Sequence, residues 1–197
     1  MFAHFDLNDI YSLYDLSLLL NIDLNNFLEY ITCLKGLKPG YMSHKDVSIF
    51  YDVILFIKDL NQDDFIYIPR LKLIFNKNKV ETILKKYNKN LDYFNTLTST
   101  YFIGQDSIII GDILGYPCPG LHSRTKNNSL PISYNLILSD IFKQIFHTNS
   151  THLQIIGSNC LKTDIDSKIS QMYLDEYLLN EYFQILHIGT IKLQFTL

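Results

Sequence analysis

A cysteine and an arginine lie close together in the most proline-rich and glycine-rich stretch of this sequence. Cys118 and Arg124 fall within residues 115–131, which hold three prolines and two glycines. A cysteine can attack an electrophile as its thiolate, and an arginine offers paired N–H donors to a phosphate. Stretches of this length without helix or strand periodicity are uncommon in compact domains and often carry function. Chemistry is therefore expected here first.

The eight residues from Cys118 to Thr125 read CPGLHSRT, which fits C-x5-R followed by Thr. This pattern resembles the phosphate loop of cysteine-dependent phosphatases, and its C-x-G opening is closest to the low-molecular-weight class. The resemblance covers these eight residues alone. It implies a thiol-dependent phosphoester hydrolase with Cys118 as nucleophile, Arg124 as phosphate clamp and Thr125 as partner of the thiolate.

An alternative interpretation treats the same stretch as a rigid surface turn with an unreactive cysteine. Pro119 has no backbone N–H to offer to a phosphate, and Pro117 also flanks the cysteine. The residues that follow Thr125 make a poor helix start, whereas a phosphate loop of this kind leads directly into a helix N-terminus. We favour the structural interpretation.

A second group of candidate binding residues is the basic segment between residues 70 and 89. Its side chains could attract RNA or an acidic protein, aided by stacking on nearby aromatic rings. The alternative is the solvated face of a helix, because lysine lacks the paired donors of arginine. The candidates are Arg70, Lys72, Lys79, Lys85, Lys86 and Lys89.

The apolar spacing of residues 16–34 is similar to that of a helix-turn-helix. The second helix would present Asn25, Asn26 and Glu29 to DNA bases. Residues 1–60 hold eight acids and four bases, however, and attraction to phosphates supplies most non-specific DNA affinity. We therefore interpret these residues as packed helices and keep nucleic-acid binding as an alternative function.

Metal and cofactor motifs are not evident in the sequence. His147, His152 and Cys160 form the one local group of soft ligands, and no second pair completes a zinc site. Nucleotide-binding glycine loops, G-x-S-x-G and H-E-x-x-H do not occur. The sequence thus predicts neither a metal nor a cofactor, and it identifies no small-molecule ligand.

Composition and length predict one compact chain outside the membrane. The 197 residues are 47% hydrophobic and 19% charged, with a net charge of −3 and no apolar run long enough for a membrane helix. The first 21 residues lack an export signal, and three cysteines are typical of reduced thiols, so we expect a soluble intracellular protein. Fifteen lysines against two arginines indicate an AT-rich genome, such as that of a large DNA virus.

The hydrophobic periodicity predicts an α+β fold. Helices are expected at residues 7–20, 24–34, about 46–60, 79–91 and 163–186, with strands at residues 66–75, 107–110, 152–156 and 190–197. A helical unit at residues 1–62 would pack on a mixed sheet with flanking helices, formed by an α+β unit at residues 63–197. Both units would belong to one compact chain.

These observations favour a non-enzymatic binding or structural protein that acts through protein–protein contacts. Outside the 115–131 stretch, no acid, base and nucleophile occur at a spacing that would assemble a catalytic site. The 14 tyrosines and 13 phenylalanines are residue types enriched at the centre of protein interfaces. We expect a protein partner or self-association, with the phosphatase and nucleic-acid functions as alternatives.

Overall fold

The computed structural model describes residues 4–43, 48–98, 102–117 and 129–195. These residues form helices and antiparallel sheets, so the predicted α+β class is confirmed. The helices are α1 (Ile10–Leu20), α2 (Leu24–Leu34), α3 (Ser48–Asp52), α4 (Lys77–Lys86), α5 (Tyr93–Thr96), α6 (Gly104–Ile113), α7 (Asp140–Ile145) and α8 (Lys162–Ile185). The strands are β1 (Gly40–Met42), β2 (Phe65–Ile68), β3 (Leu73–Asn76), β4 (Ser129–Leu138), β5 (His152–Leu161) and β6 (Gly189–Phe195).

The strands form two three-stranded sheets where a single mixed sheet was expected. The first has the order β1-β3-β2 and the second the order β5-β4-β6, and every pairing is antiparallel. Antiparallel strands need no helical crossover, which is why β4 and β5 are joined by the short helix α7 alone. The alternating sequence near residue 190 predicted a strand, and this strand is β6. It pairs with β4.

The two amino-terminal helices form as predicted because each has an aspartate cap. The Asp9 carboxylate accepts a hydrogen bond from the N–H of Ser12, and the Asp23 carboxylate accepts one from the N–H of Asn26. Asn21 ends α1 in the left-handed conformation, with φ of 48°. This residue turns the chain so that α2 can begin three residues later.

The first 62 residues also supply a strand, which ties them to the rest of the chain. Tyr41 of β1 pairs with Ile74 of β3, and its ring stacks on Phe50 with centroids 5.8 Å apart. The Tyr30 hydroxyl donates to the Phe50 carbonyl at 2.5 Å in the same buried cluster. Side chains from α1, α2, α8 and the second sheet share this core.

Two parts of the middle segment differ from the sequence prediction. The strand expected at residues 66–75 is divided into β2 and β3 by a 3-10 turn at Pro69–Leu71, which Lys72 closes with φ of 50°. The prediction of a strand at residues 107–110 is wrong, because these residues lie within helix α6. Ile109, Ile110 and Ile113 of α6 are buried in a second core with β3, α4 and α5.

Helix α8, at the place where the sequence predicted a helix, is the longest described element and packs on the second sheet through one face. Met172, Leu179 and Phe183 are buried on this side. The Asn180 side chain binds both backbone groups of Ile191 in β6: its amide N–H donates to the carbonyl and its oxygen accepts from the N–H, each at 2.7 Å. The helix thereby covers the edge of β6.

A β-bulge interrupts the pairing of β4 with β5. Ser133 pairs with Gly157 and Tyr134 with Ile155, so Ile156 is an extra residue without a partner in β4. Ile156 has φ of 50°, a conformation that a β-branched residue rarely adopts. The bulge gives β5 a local bend.

Among the residues that the structure describes, no helix combines the length and apolar character that a bilayer crossing requires.

Candidate functional site

The residues predicted for phosphatase chemistry cannot be placed. Cys118, Arg124 and Thr125 lie outside the described residues, which stop at Pro117 and resume at Ser129. The phosphatase interpretation of the 118–125 motif therefore stays a prediction.

The other two cysteines have different states. Cys33 of α2 is a free and fully buried thiol. Cys160 of β5 is disulfide-bonded, so the expectation that all the cysteines are reduced is wrong for this residue. Within the described ranges, no group of three or more histidine, cysteine or acidic side chains is arranged to hold a metal ion.

We expect Cys33 to be unreactive toward alkylating reagents for as long as the protein is folded. Burial raises the pKa of its thiol to about 12, so almost no reactive thiolate exists near neutral pH. Iodoacetamide labelling, located by peptide mass spectrometry, should rise at Cys33 only across the urea unfolding transition. Rapid labelling of Cys33 in native buffer would contradict the burial that the structure gives it.

The six basic candidates of residues 70–89 do not share one surface. Lys79 and Lys86 line a cleft beside α4, whereas Lys85 and Lys89 line a shallow depression that also contains Glu81. Arg70 lies elsewhere, with its guanidinium donating to the Phe94 carbonyl. Lys72 is the residue that closes the turn before β3. Helix α4 thus separates the lysines into two groups.

Two of the three side chains assigned to base contacts in the helix-turn-helix interpretation have partners within the protein. The Asn26 amide donates to the Asp23 carboxylate at 2.6 Å. The Glu29 carboxylate accepts from the ammonium of Lys38 at 2.8 Å. Helices α1 and α2 also share the main core, which supports the interpretation of these residues as packed helices.

A cleft of about 750 Å³ lies between α4 and α8. Its volume is within the range of roughly 300–1,000 Å³ that is typical of small-molecule sites. One wall is the face of α4 that carries Lys79, Thr82 and Lys86, and the opposite wall carries Lys168 and Asp175 of α8. The cleft could not be predicted from the sequence, because the residues that line it come from distant parts of the chain.

The cleft holds more positive than negative charge. Its lining includes four lysines and two aspartates. Lys38 is occupied by its ion pair with Glu29, but Lys79, Lys86 and Lys168 have no carboxylate within 4 Å among the described residues. None of these three is tied by a close ion pair there, although Lys79 attracts the Asp175 carboxyl at longer range and acts to lower its pKa.

The acidic and phenolic groups of the cleft are held by the surrounding structure. The Asp175 carboxylate accepts from the Gln171 amide at 2.8 Å, and partial burial raises the pKa of this carboxyl. The Tyr134 hydroxyl donates to the Met172 carbonyl at 3.3 Å, and burial likewise raises its pKa. The two groups also interact with each other, because the Tyr134 hydroxyl hydrogen-bonds to the Asp175 carboxyl.

A second feature is the outer face of α8, defined by Tyr173, Leu174, Tyr177, Glu181 and Ile185. Each residue of an α-helix turns by about 100°, which places these five within an arc of roughly 120°. The residues buried against the sheet lie on the opposite arc. Tyr177 is 65% exposed and Ile185 is 68% exposed, so this face is both apolar and open to solvent. Helix α8 is therefore apolar on two sides.

Comparisons of the chain with models of protein families, with curated proteins and with solved structures give no match.

Proposed function

We propose that this chain is a non-enzymatic binding or structural protein that acts through protein–protein contacts. The observation that carries the proposal is the exposed apolar outer face of α8. A soluble monomer rarely leaves such a surface contiguous unless it is used, and patches of this kind mark interaction sites. The partner that fits this face is a second copy of the chain.

The size of the face agrees with an interface centre. Its four apolar side chains, each about half exposed or more, present roughly 400 Å² to solvent. A standard interface covers about 800 Å² on each partner, of which somewhat more than half is apolar. The outer face would therefore supply the apolar centre, and polar residues around it would supply the rim.

The pattern of the face is complementary to itself. Tyr173, Tyr177 and Glu181 follow one another at four-residue intervals along α8. If two copies of α8 pair antiparallel about Tyr177, each Tyr173 comes opposite Glu181 of the other copy. The phenol can then donate a hydrogen bond to the carboxylate, so the one charge on the face is not buried without a partner. A twofold contact of this kind closes as a dimer.

Sedimentation velocity at micromolar concentrations tests this proposal. We expect the wild-type chain to sediment as a dimer and the variant Tyr177→Arg as a monomer. The change brings two guanidinium groups together at the twofold axis and removes a central aromatic anchor from both copies. The loss of about 2 kcal/mol per anchor corresponds to roughly 1,000-fold weaker association.

The matched control is Tyr11→Arg. Tyr11 of α1 is 65% exposed, the same fraction as Tyr177, but it lies on another helix. This variant should remain dimeric. A wild-type chain that is monomeric at every concentration, or a Tyr177→Arg variant that is still dimeric, would exclude the proposal.

An AT-rich source, such as a large DNA virus, forms part of the same proposal, as does an intracellular location. The lysine-rich composition supports the AT-rich source.

A further inference from the structure

The cleft between α4 and α8 combines three features that nothing in the proposed dimer uses. It is lined by six separate segments of the chain, it holds three lysines with no carboxylate within 4 Å among the described residues, and much of its lining is apolar. The outer face of α8 points away from it, since Lys168 and Asp175 lie on the side of the helix opposite Tyr173. The cleft therefore needs an explanation of its own.

The three lysines line the cleft from two walls. Lys79 and Lys86 are seven residues apart on the same face of α4, which separates their backbones by about 10 Å along the axis. Lys168 approaches from α8. Lysine is suited to phosphate as a mobile point charge, and two or three lysines around one anion are a common arrangement for its recognition.

Helix α4 adds a favourable field at the same place. Asn78 and Lys79 in the first turn of α4 line the cleft, so the positive end of the helix dipole is close to it. The N–H of Lys79 is already capped by the side chain of Asn76. The dipole therefore supplements the lysines and does not replace them.

One residue with a strained backbone lines the floor of the cleft. Ile156, the bulge residue with φ of 50°, lines the cleft together with Tyr134. A β-branched residue in this conformation costs about 1–3 kcal/mol, and such strain and such bulges are concentrated at functional sites. The bulge brings an apolar side chain to the floor, where it can contact the non-polar part of a ligand.

We infer that this cleft binds a small organic phosphate, with the phosphate held by Lys79, Lys86 and Lys168 and an apolar or aromatic group packed against Ile156 and Leu179. The volume of about 750 Å³ accommodates a ligand of this size. The lysines supply affinity for the charge, and the apolar floor supplies selectivity for organic phosphates over inorganic phosphate.

Isothermal titration calorimetry with 1-naphthylmethylphosphonate tests the inference. This probe carries a phosphate-like dianion on an aromatic group and has no P–O–C bond that could be hydrolysed. We expect saturable binding of one probe per chain, and binding at least about tenfold weaker for 1-naphthalenemethanol, which lacks the charge. Inorganic phosphate should also bind more weakly than the probe, because it makes no contact with the floor.

Paired variants of α4 separate the cleft from general surface charge. Lys79→Gln with Lys86→Gln should weaken binding of the probe by at least about tenfold, since each lysine contributes a charge-assisted contact. Lys85→Gln with Lys89→Gln removes the same charge from the other side of α4 and should leave binding within about twofold of wild type. Circular dichroism would verify that both variants remain folded.

Three results would overturn the inference. The first is no saturable binding of the probe at millimolar concentration. The second is an equal loss of affinity in both paired variants, which would indicate diffuse attraction. The third is equal affinity for the uncharged alcohol. The variant Tyr177→Arg should bind the probe normally whether or not it is a dimer, so this experiment is independent of the proposed self-association.

Discussion

Glu29→Gln should destabilise the protein by about 3 kcal/mol, because it leaves the ammonium of Lys38 buried without a compensating charge. Lys38 is only 3% exposed, and its nitrogen lies 2.8 Å from the Glu29 carboxylate. The amide has the same shape as the carboxylate and can still accept a hydrogen bond, so the change removes charge and little else. Urea denaturation monitored by circular dichroism would measure the loss.

Lys38→Met is the informative comparison for this pair. It removes the buried charge itself and leaves Glu29, whose side chain is 27% exposed, in contact with water. We expect a cost of about 1 kcal/mol or less, smaller than that of Glu29→Gln. A larger loss in Lys38→Met than in Glu29→Gln would show that packing of the lysine stem, and not its charge, dominates.

An exposed ion pair provides the control for the charge change. Asp140 and Lys143 of α7 are 2.5 Å apart, and the Asp140 side chain is 87% exposed. Asp140→Asn should leave the urea midpoint almost unchanged, because solvent already screens this pair. Equal effects at Glu29 and Asp140 would mean that the burial of Lys38 has no energetic consequence.

Gly189→Ala should be the second strongly destabilising substitution, with a loss of about 2–4 kcal/mol. A Cβ atom at Gly189 would lie 2.1 Å from the carbonyl oxygen of Ile137 in β4. A backbone atom cannot rotate away as a side chain can, so β6 must move away from β4 at the first residue of their pairing. Thermal unfolding would report this as a lowered melting temperature.

Gly157→Ala in the neighbouring strand β5 is the matched control. Its added Cβ would meet the end of the flexible Gln154 side chain at 3.0 Å, with no backbone atom closer than 3.7 Å. Gln154 can change rotamer, so we expect a loss below about 1 kcal/mol. Similar losses at the two glycines would contradict the close approach of β6 to β4.

The periodic elements could be read from the sequence because local signals and tertiary packing agree in them. Helix α2 has an aspartate cap and one apolar face, and β6 alternates polar with apolar residues. Helix α6 was misassigned because Ser107–Ile110 is a short apolar run that fits a buried strand as well as a buried helix. Nothing local distinguishes these two environments.

The candidate sites depend on tertiary structure that periodicity does not encode. The basic segment looked like one surface in the sequence, yet α4 directs Lys79 and Lys86 into the cleft and Lys85 away from it. Lys168, which completes the charge of the cleft, comes 82 residues after Lys86. The outer face of α8 was missed because the helix is apolar on both sides, which hides the usual contrast between faces.

The contact between Asn180 and Ile191 also limits how copies of this protein can join. An unprotected strand edge invites another chain to add to the sheet, and repeated addition leads to fibres. On β6 the N–H and carbonyl of Ile191 are already taken by the Asn180 amide. An incoming strand would first have to displace a side chain anchored on α8. The contact therefore protects the β6 edge against strand addition at Ile191, which is compatible with the proposed pairing of two copies through α8.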